Sequence, residues 1–209
     1  MPGPTWAPLE SIADRDDLAA ICRRLGAAIT AAHPDGLVAV GVLKGSVPFL
    51  ADLVREIRVP VEIDTVAVSP YDPGQGRTRV VKDLDLDVSG RPLLLIAGIV
   101  DTGLTSSFLL RHLREREPAS LSLCGLVDKQ HRRIVPVEVT YAGLPGPDRF
   151  VLGYGLDFGG RYRNLPGLWA ADSRALAEDP DRYVNDLYPR RSTSAPRSSV
   201  PGTSGRVIR

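Results

Sequence analysis

The stretch Leu93-Leu94-Leu95-Ile96-Ala97-Gly98-Ile99-Val100-Asp101-Thr102-Gly103-Leu104-Thr105 decides the fold of this 209-residue chain. Its apolar run does not alternate with polar residues, which marks a strand covered on both faces, as in a parallel sheet. The run ends in a carboxylate, a hydroxyl, a glycine and a second hydroxyl, and apolar residues at helical spacing follow. Strand, tight loop and helix N-terminus in that order bring unpaired N–H groups and the positive end of a helix dipole together, a ready anion site. Asp101 falls at the carboxyl edge of the strand, where open α/β sheets bind their ligands. A plain Asp-capped turn with a positive-φ glycine uses the same residue types, so this segment alone leaves both readings open.

The pattern on either side is of the same kind. Leu18, Ile21, Cys22, Leu25 and Ile29 give helical spacing between Ser11 and His33, and Pro34-Asp35-Gly36 stops that helix. Leu37–Leu43 is a second uninterrupted apolar run; Lys44-Gly45-Ser46 turns the chain into a helix over Val47–Ile57. Strands are expected at Val61–Val68 and Leu121–Val127, with a helix at Leu104–Arg116 between the long run and the latter. Ser69–Arg91 is rich in Gly, Pro and charge and predicts a long loop carrying a short strand at Thr78–Lys82. Alternating strands and helices imply a parallel, right-handed α/β sheet. Beyond Lys129 short strands are expected at Val135–Tyr141 and Phe150–Gly155, separated by the turn-rich Leu144-Pro145-Gly146-Pro147-Asp148. They suggest a small hood beside the core. The domain expectation is one unit over 1–188, with its core at about 10–130 and its hood at about 130–170 plus N-terminal residues. Residues 189–209 are Ser/Pro/Gly/Arg-rich without an acid and read as a disordered tail.

A net charge of +1 gives no reason to expect nucleic acid or an anionic membrane as a partner. Cys22 and Cys124 sit in apolar contexts without CxxC spacing, so buried free thiols are expected. No signal-like start and no apolar run of membrane-spanning length is seen, which predicts a cytoplasmic protein.

Four separated segments carry chemistry. Leu43-Lys44-Gly45 follows the first core strand, where a glycine allows close backbone approach to a diphosphate and Lys44 adds positive charge. Asp101–Thr105 is the anion loop. Leu126-Val127-Asp128-Lys129 ends a strand in a side chain that offers hydrogen-bond donors only. Phe150-Val151-Leu152-Gly153-Tyr154-Gly155-Leu156-Asp157-Phe158, followed by Arg161-Tyr162-Arg163-Asn164-Leu165, sets a carboxylate in an apolar run, which a simple hydrophobic hairpin does not explain.

In order and spacing these segments resemble the hypoxanthine-guanine phosphoribosyltransferases, a branch of the type I phosphoribosyltransferases. The resemblance covers Leu37 to Trp169 and implies a parallel α/β core with a small hood. It implies transfer of the 5-phosphoribosyl group of PRPP to N9 of a 6-oxopurine, with release of pyrophosphate, in purine salvage. By that match Thr102, Gly103, Leu104 and Thr105 cradle the 5′-phosphate, and Asp101 accepts the proton that the attacking base sheds. Lys44, Gly45 and Arg163 meet pyrophosphate, with a cis Leu43-Lys44 peptide implied. Lys129 donates to O6 of the purine, Phe150 stacks on it and the backbone of Val151 reads its edge. Asp157 holds Mg2+, and Ser69 and Tyr71 belong to a loop that closes over the substrates. Relatives of this kind also imply a homodimer or homotetramer.

Two departures stand out. The family carries Glu-Asp before Ile-x-Asp-Thr-Gly, as ligands of the ribose hydroxyls and of a second Mg2+, where this chain has Ala97-Gly98. On this reading Ala97→Glu with Gly98→Asp is expected to strengthen PRPP binding. In the loop, Pro70 separates Ser69 from Tyr71 and alters how Tyr71 is presented. Three outcomes remain: a working 6-oxopurine enzyme, a specialised relative using a modified purine or another ribosyl donor, or a non-catalytic nucleotide-binding homologue.

Overall fold

The long apolar run becomes β5 (Pro92–Val100), the centre of a mostly parallel six-stranded sheet. The computed structural model of the chain describes residues 6–69 and 79–188. In chain order the other elements are β1 (Glu10–Ala13), α1 (Arg15–Ala32), β2 (Leu37–Val42), α2 (Val47–Glu56), β3 (Val61–Val68) and β4 (Val80–Lys82). After β5 come α3 (Leu104–Arg114), β6 (Ser120–Asp128), β7 (Tyr141–Pro145), β8 (Phe150–Leu152), β9 (Leu168–Ala171), α4 (Ser173–Glu178) and α5 (Val184–Leu187). The sheet order is β4-β3-β2-β5-β6-β7; only β4 runs antiparallel to its neighbour.

Both faces of β5 are covered. Leu94 and Ile96 pack with Phe49 and Leu53 of α2 and Leu25 and Ile29 of α1, whereas Leu93 and Leu95 pack with Leu109 and Leu113 of α3. Each fully buried leucine contributes about 2 kcal/mol of transfer free energy, which is why this strand fixes the register of its neighbours. α1 begins later than the spacing suggests. Asp14 caps it by accepting from the amides of Asp16 and Asp17, and Asp17 accepts in return from the amide of Asp14. Ser11 and Ile12 instead lie in β1, which pairs with β9 far along the chain.

The expected strand at Val135–Tyr141 does not form. Pro136 has no N–H for a ladder, and the amides of Ile134 and Val135 both donate to the carbonyl of Thr102. Val137 and Val139 still pack on the α3 side of the sheet, so their apolar alternation marks a buried loop. The ladder starts at Tyr141 and takes in Leu144 and Pro145, which places part of the expected turn in the sixth strand of the main sheet. β8 ends at Leu152, short of Gly155, because Gly153, Tyr154 and Gly155 all take positive φ (98°, 43° and 96°). β8 joins β1 and β9 in a separate antiparallel three-stranded sheet, order β1-β9-β8. The pattern gave no expectation for β9, α4 or α5.

Both cysteines are free and buried; burial pushes the Cys22 thiol up to about 11 and raises that of Cys124 as well. Among the described residues, no helix is long and apolar enough to cross a membrane. Tyr71 and the 189–209 tail lie outside the described residues.

Candidate active site

Three strand ends and one loop from the small sheet converge at the carboxyl edge of the main sheet. At the end of β5, Gly103 turns the chain with φ 85°, and a Cβ there would sit 2.3 Å from the carbonyl oxygen of Val135. Only glycine meets both demands. Because Gly103 is also the N-cap of α3, no side chain caps that helix. The first-turn amides, with Leu104 and Thr105 exposed beside them, are left to an external acceptor. Arg111, His112 and Arg114 in the last turn complement the dipole at the other end.

β2 ends in a cis peptide between Leu43 and Lys44. Gly45 then lies directly against β5. A Cβ on Gly98 would stand 2.6 Å from the Gly45 carbonyl oxygen, and one on Gly155 would stand 2.3 Å from the same atom. The Lys44-Gly45 turn is therefore clasped between β5 and the Gly153–Gly155 segment. Ser46, fully buried, donates from Oγ to the carbonyl of Val42 at 2.8 Å and closes the turn.

β6 delivers Asp128 and Lys129, both nearly inaccessible at 5% and 4% exposure. The Lys129 amide donates to the Val100 carbonyl at 3.0 Å, and its Nζ donates to the Arg149 carbonyl at 2.6 Å. Burial lowers the Lys129 pKa, and the Asp101 carboxylate acts against that shift. Phe150 follows Arg149, half-buried, with its ring edge-on to Phe158 at 5.4 Å between centroids. Lys129 thus lies within electrostatic reach of Asp101 and is tied to the main chain of the residue that precedes Phe150. Arg149 is itself anchored, donating from Nη1 to Glu10 at 3.1 Å and from Nη2 to the Pro8 carbonyl.

In the Gly153–Arg163 segment, Asp157 accepts from the Gly160 amide at 2.7 Å and pairs with Arg163 at 2.7 Å. Arg163 also donates to the Gly155 carbonyl at 2.6 Å. Val151 is buried within β8. Among the described residues no group of three or more His, Cys, Asp or Glu side chains could hold a metal unaided. A hard cation here meets one protein carboxylate, Asp157. That set suits a small divalent ion completing its shell with substrate oxygens and water. Ser69 lies at the base of the loop: its amide donates to the Arg79 carbonyl at 2.9 Å, and its Oγ accepts from the Arg79 amide at 3.3 Å.

Two arginines that the sequence reading passed over hold this edge together. Arg132 Nε donates to Asp101 Oδ1 at 2.8 Å, and its Nη1 reaches Asp148 at 3.1 Å. Arg133 donates to the carbonyls of Val100 and Asp101 and pairs with Asp128, tying the ends of β5 and β6. Their signal was available as a cation doublet close after a strand-end Asp-Lys, but a charge doublet in a loop usually signifies solvation.

A model of the phosphoribosyl transferase domain matches residues 8–158. Hypoxanthine phosphoribosyltransferase of Haemophilus influenzae is 43% identical over 164 residues, covering 75% of this chain and 92% of that one. The chain belongs to the hypoxanthine-guanine phosphoribosyltransferase family. Bacillus subtilis hypoxanthine-guanine phosphoribosyltransferase is 42% identical over 148 residues, covering 69% of this chain and 82% of its own. The crystal structure of a Staphylococcus aureus hypoxanthine phosphoribosyltransferase superposes with a TM-score of 0.76 at 36% identity, covering 79% of this chain and 92% of that one. The parallel core with its small second sheet is the type I phosphoribosyltransferase fold of these relatives.

Proposed function

We propose that this phosphoribosyltransferase transfers the 5-phosphoribosyl group of PRPP to N9 of hypoxanthine or guanine and releases pyrophosphate, as a purine salvage enzyme. The observation that carries the reading is the uncapped helix N-terminus after Asp101, with Lys129 in electrostatic reach of that carboxylate and hydrogen-bonded to the residue before Phe150. The amides of residues 102–105 and the hydroxyls of Thr102 and Thr105 receive the 5′-phosphate. The purine lies on Phe150 with its edge along the backbone of Val151. Lys129 Nζ, which now donates to a carbonyl, turns to O6 of the base, so a 6-oxopurine is favoured over a 6-aminopurine, which presents a donor there.

As N9 attacks C1 of the ribose, the base loses a proton to Asp101. Such transfer contributes about 100- to 10,000-fold to rate. Arg132, now on one oxygen of Asp101, fixes the carboxylate's orientation while the other oxygen faces the base. Lys44, the Gly45 turn and Arg163 take the departing pyrophosphate. Asp157 would hold Mg2+, which supplies charge neutralisation to the diphosphate. We assign Ser69 and Tyr71 to a loop that covers the site. The three-stranded sheet and its loops, with the N-terminal residues, act as the hood over a core spanning about 10–130, within a unit of 1–188. A homodimer or homotetramer and a cytoplasmic site of action fit this reading, and nucleic acid has no part in it.

The test is pyrophosphate release by purified protein given PRPP, Mg2+ and a panel of purines. Release with hypoxanthine or guanine, and little with adenine, is the expected result. Nucleotide binding without release from any base would replace the reading with that of a non-catalytic homologue, an alternative that the missing Glu-Asp pair keeps in view.

A further inference from the structure

We propose that the pentose subsite of this chain does not read the sugar's 2-hydroxyl, and that the enzyme forms and cleaves 2′-deoxynucleoside monophosphates alongside ribonucleotides. This deepens the functional reading above and rests on it. The two charged ends of the donor bracket its sugar: the 5-phosphate at residues 102–105 and the diphosphate at the Lys44-Gly45 turn. Those two loops meet over the last residues of β5, because the carbonyl of Gly45 packs on Gly98 itself. The sugar therefore lies over residues 97–100.

That floor is hydrocarbon. Ala97 is 6% exposed and belongs to the cluster on the α3 side with Leu95 and Val100; Gly98 has no side chain, and Leu156 crowds it from the hood side. Ile99 is apolar and partly buried. In the turn that packs on Gly98, the Ser46 hydroxyl is committed to the Val42 carbonyl. The first polar side chain along β5 is Asp101, engaged by Arg132 and assigned to the base. Among the described residues, no hydroxyl, amide or carboxylate on this floor can hydrogen-bond the 2-hydroxyl.

A subsite built on buried partners for a substrate hydroxyl rejects the analogue lacking it by roughly 10,000-fold, because those partners are left unpaired. Here, among the described residues, nothing on this floor is left unpaired when the hydroxyl goes. The chemistry also permits it. In cleavage, a pyrophosphate oxygen bonds to C1′ as the C1′–N9 bond breaks, and the departing purine takes the proton carried by Asp101, which came from solvent. Atoms and charge balance without an oxidant or reductant. Removing the electron-withdrawing 2-hydroxyl eases development of positive charge at C1′.

The experiment compares IMP with 2′-deoxy-IMP on the wild-type enzyme with Mg2+. Calorimetry gives each nucleotide's Kd, and addition of pyrophosphate shows whether each releases hypoxanthine. Kd values within about tenfold, with hypoxanthine released from both, are expected, far inside the discrimination of a hydroxyl-reading site. A ribose preference above about tenfold in Kd, or release from IMP alone, overturns the inference and leaves the transferase reading standing. Release from neither removes that reading and this inference with it.

Discussion

Gly98 is where sequence and structure part most clearly. From the sequence alone, restoring Ala97→Glu and Gly98→Asp promises tighter PRPP binding. In the structure a Cβ at 98 would press on the main-chain carbonyl of Gly45 at 2.6 Å, and Ala97 points into the core. The expectation is therefore reversed: Gly98→Asp displaces the Lys44-Gly45 turn, and calorimetry will show PRPP binding weakened by at least about tenfold, a cost of about 1.4 kcal/mol. Asp101→Asn retains its contacts and its exposure while losing basicity. Its kcat should fall by about 100-fold or more with an unchanged melting temperature; undiminished turnover would remove Asp101 from its role. Lys129 gives a pH signature. Burial holds its pKa below the ordinary 10.5, so the folded protein sheds this proton at a lower pH than the unfolded chain. Below the lowered value both states are protonated and the cost of burying the charge is fully present. As pH rises through the interval up to 10.5 the unfolded chain binds more protons, so this residue's contribution to stability rises with pH. Over the same interval the ammonium is lost from the site. Affinity for hypoxanthine, measured by calorimetry, should decline before an exposed lysine would titrate.

Elements buried on both faces were legible in the sequence, and the irregular ones were not. β2 and β5 announce themselves as uninterrupted apolar runs because a central parallel strand has no solvent face to mark, and β3 and β6 beside them were also expected as strands although polar residues interrupt them. The turn from β5 into α3 was equally plain, since its Asp-Thr-Gly-x-Thr follows such a run. The failures share one cause: long-range partners overrode local pattern. Val135–Val139 alternates like a strand, but its first amides serve Thr102 and Pro136 cannot join a ladder. Ser11 and Ile12 look helical until β9, absent from local view, recruits them into a sheet. At the carboxyl edge, Asp101 and Lys129 stand out in the sequence as charged residues that end apolar runs. Residues whose work is positional, as at Arg132 and Arg133, do not stand out in this way. The Tyr154–Asp52 contact is of this second kind. The buried phenol donates to the Asp52 carboxylate of α2, and burial together with that carboxylate keeps it protonated. It joins the helix that follows the Lys44-Gly45 turn to the segment leading to Asp157. Tyr154→Phe should cost about 1 kcal/mol in urea denaturation and raise KM for pyrophosphate more than it lowers kcat. An unchanged KM would show that the strut is structural only.

At the scale of the whole molecule, the two sheets divide the labour. The six-stranded sheet carries the Lys44-Gly45 turn and the Asp101–Thr105 loop, and the three-stranded sheet carries Phe150 and the chain leading to Asp157. The second sheet is assembled from both ends of the described chain, with Glu10 pairing with Ala170 and Phe150 with Ala171. Glu10 also anchors Arg149, whose carbonyl receives Lys129. A truncation beginning at Asp14 should therefore keep its helical circular dichroism, since the core helices pack on the main sheet, yet lose hypoxanthine binding in calorimetry. Retained binding would show that β1 is dispensable to the base pocket.

The pairing of β1 with β9 also sets an order of events during synthesis. β1 must wait for Leu168–Ala171, more than 150 residues later in the chain, before it has a neighbour. The main-sheet strands that carry the Lys44-Gly45 turn and the Asp101–Thr105 loop have neighbours earlier in the chain, whereas β1 and β8 both wait for β9. A polypeptide cut short before Leu168 should thus keep the strands of the six-stranded sheet while β1 and β8 lack their common neighbour.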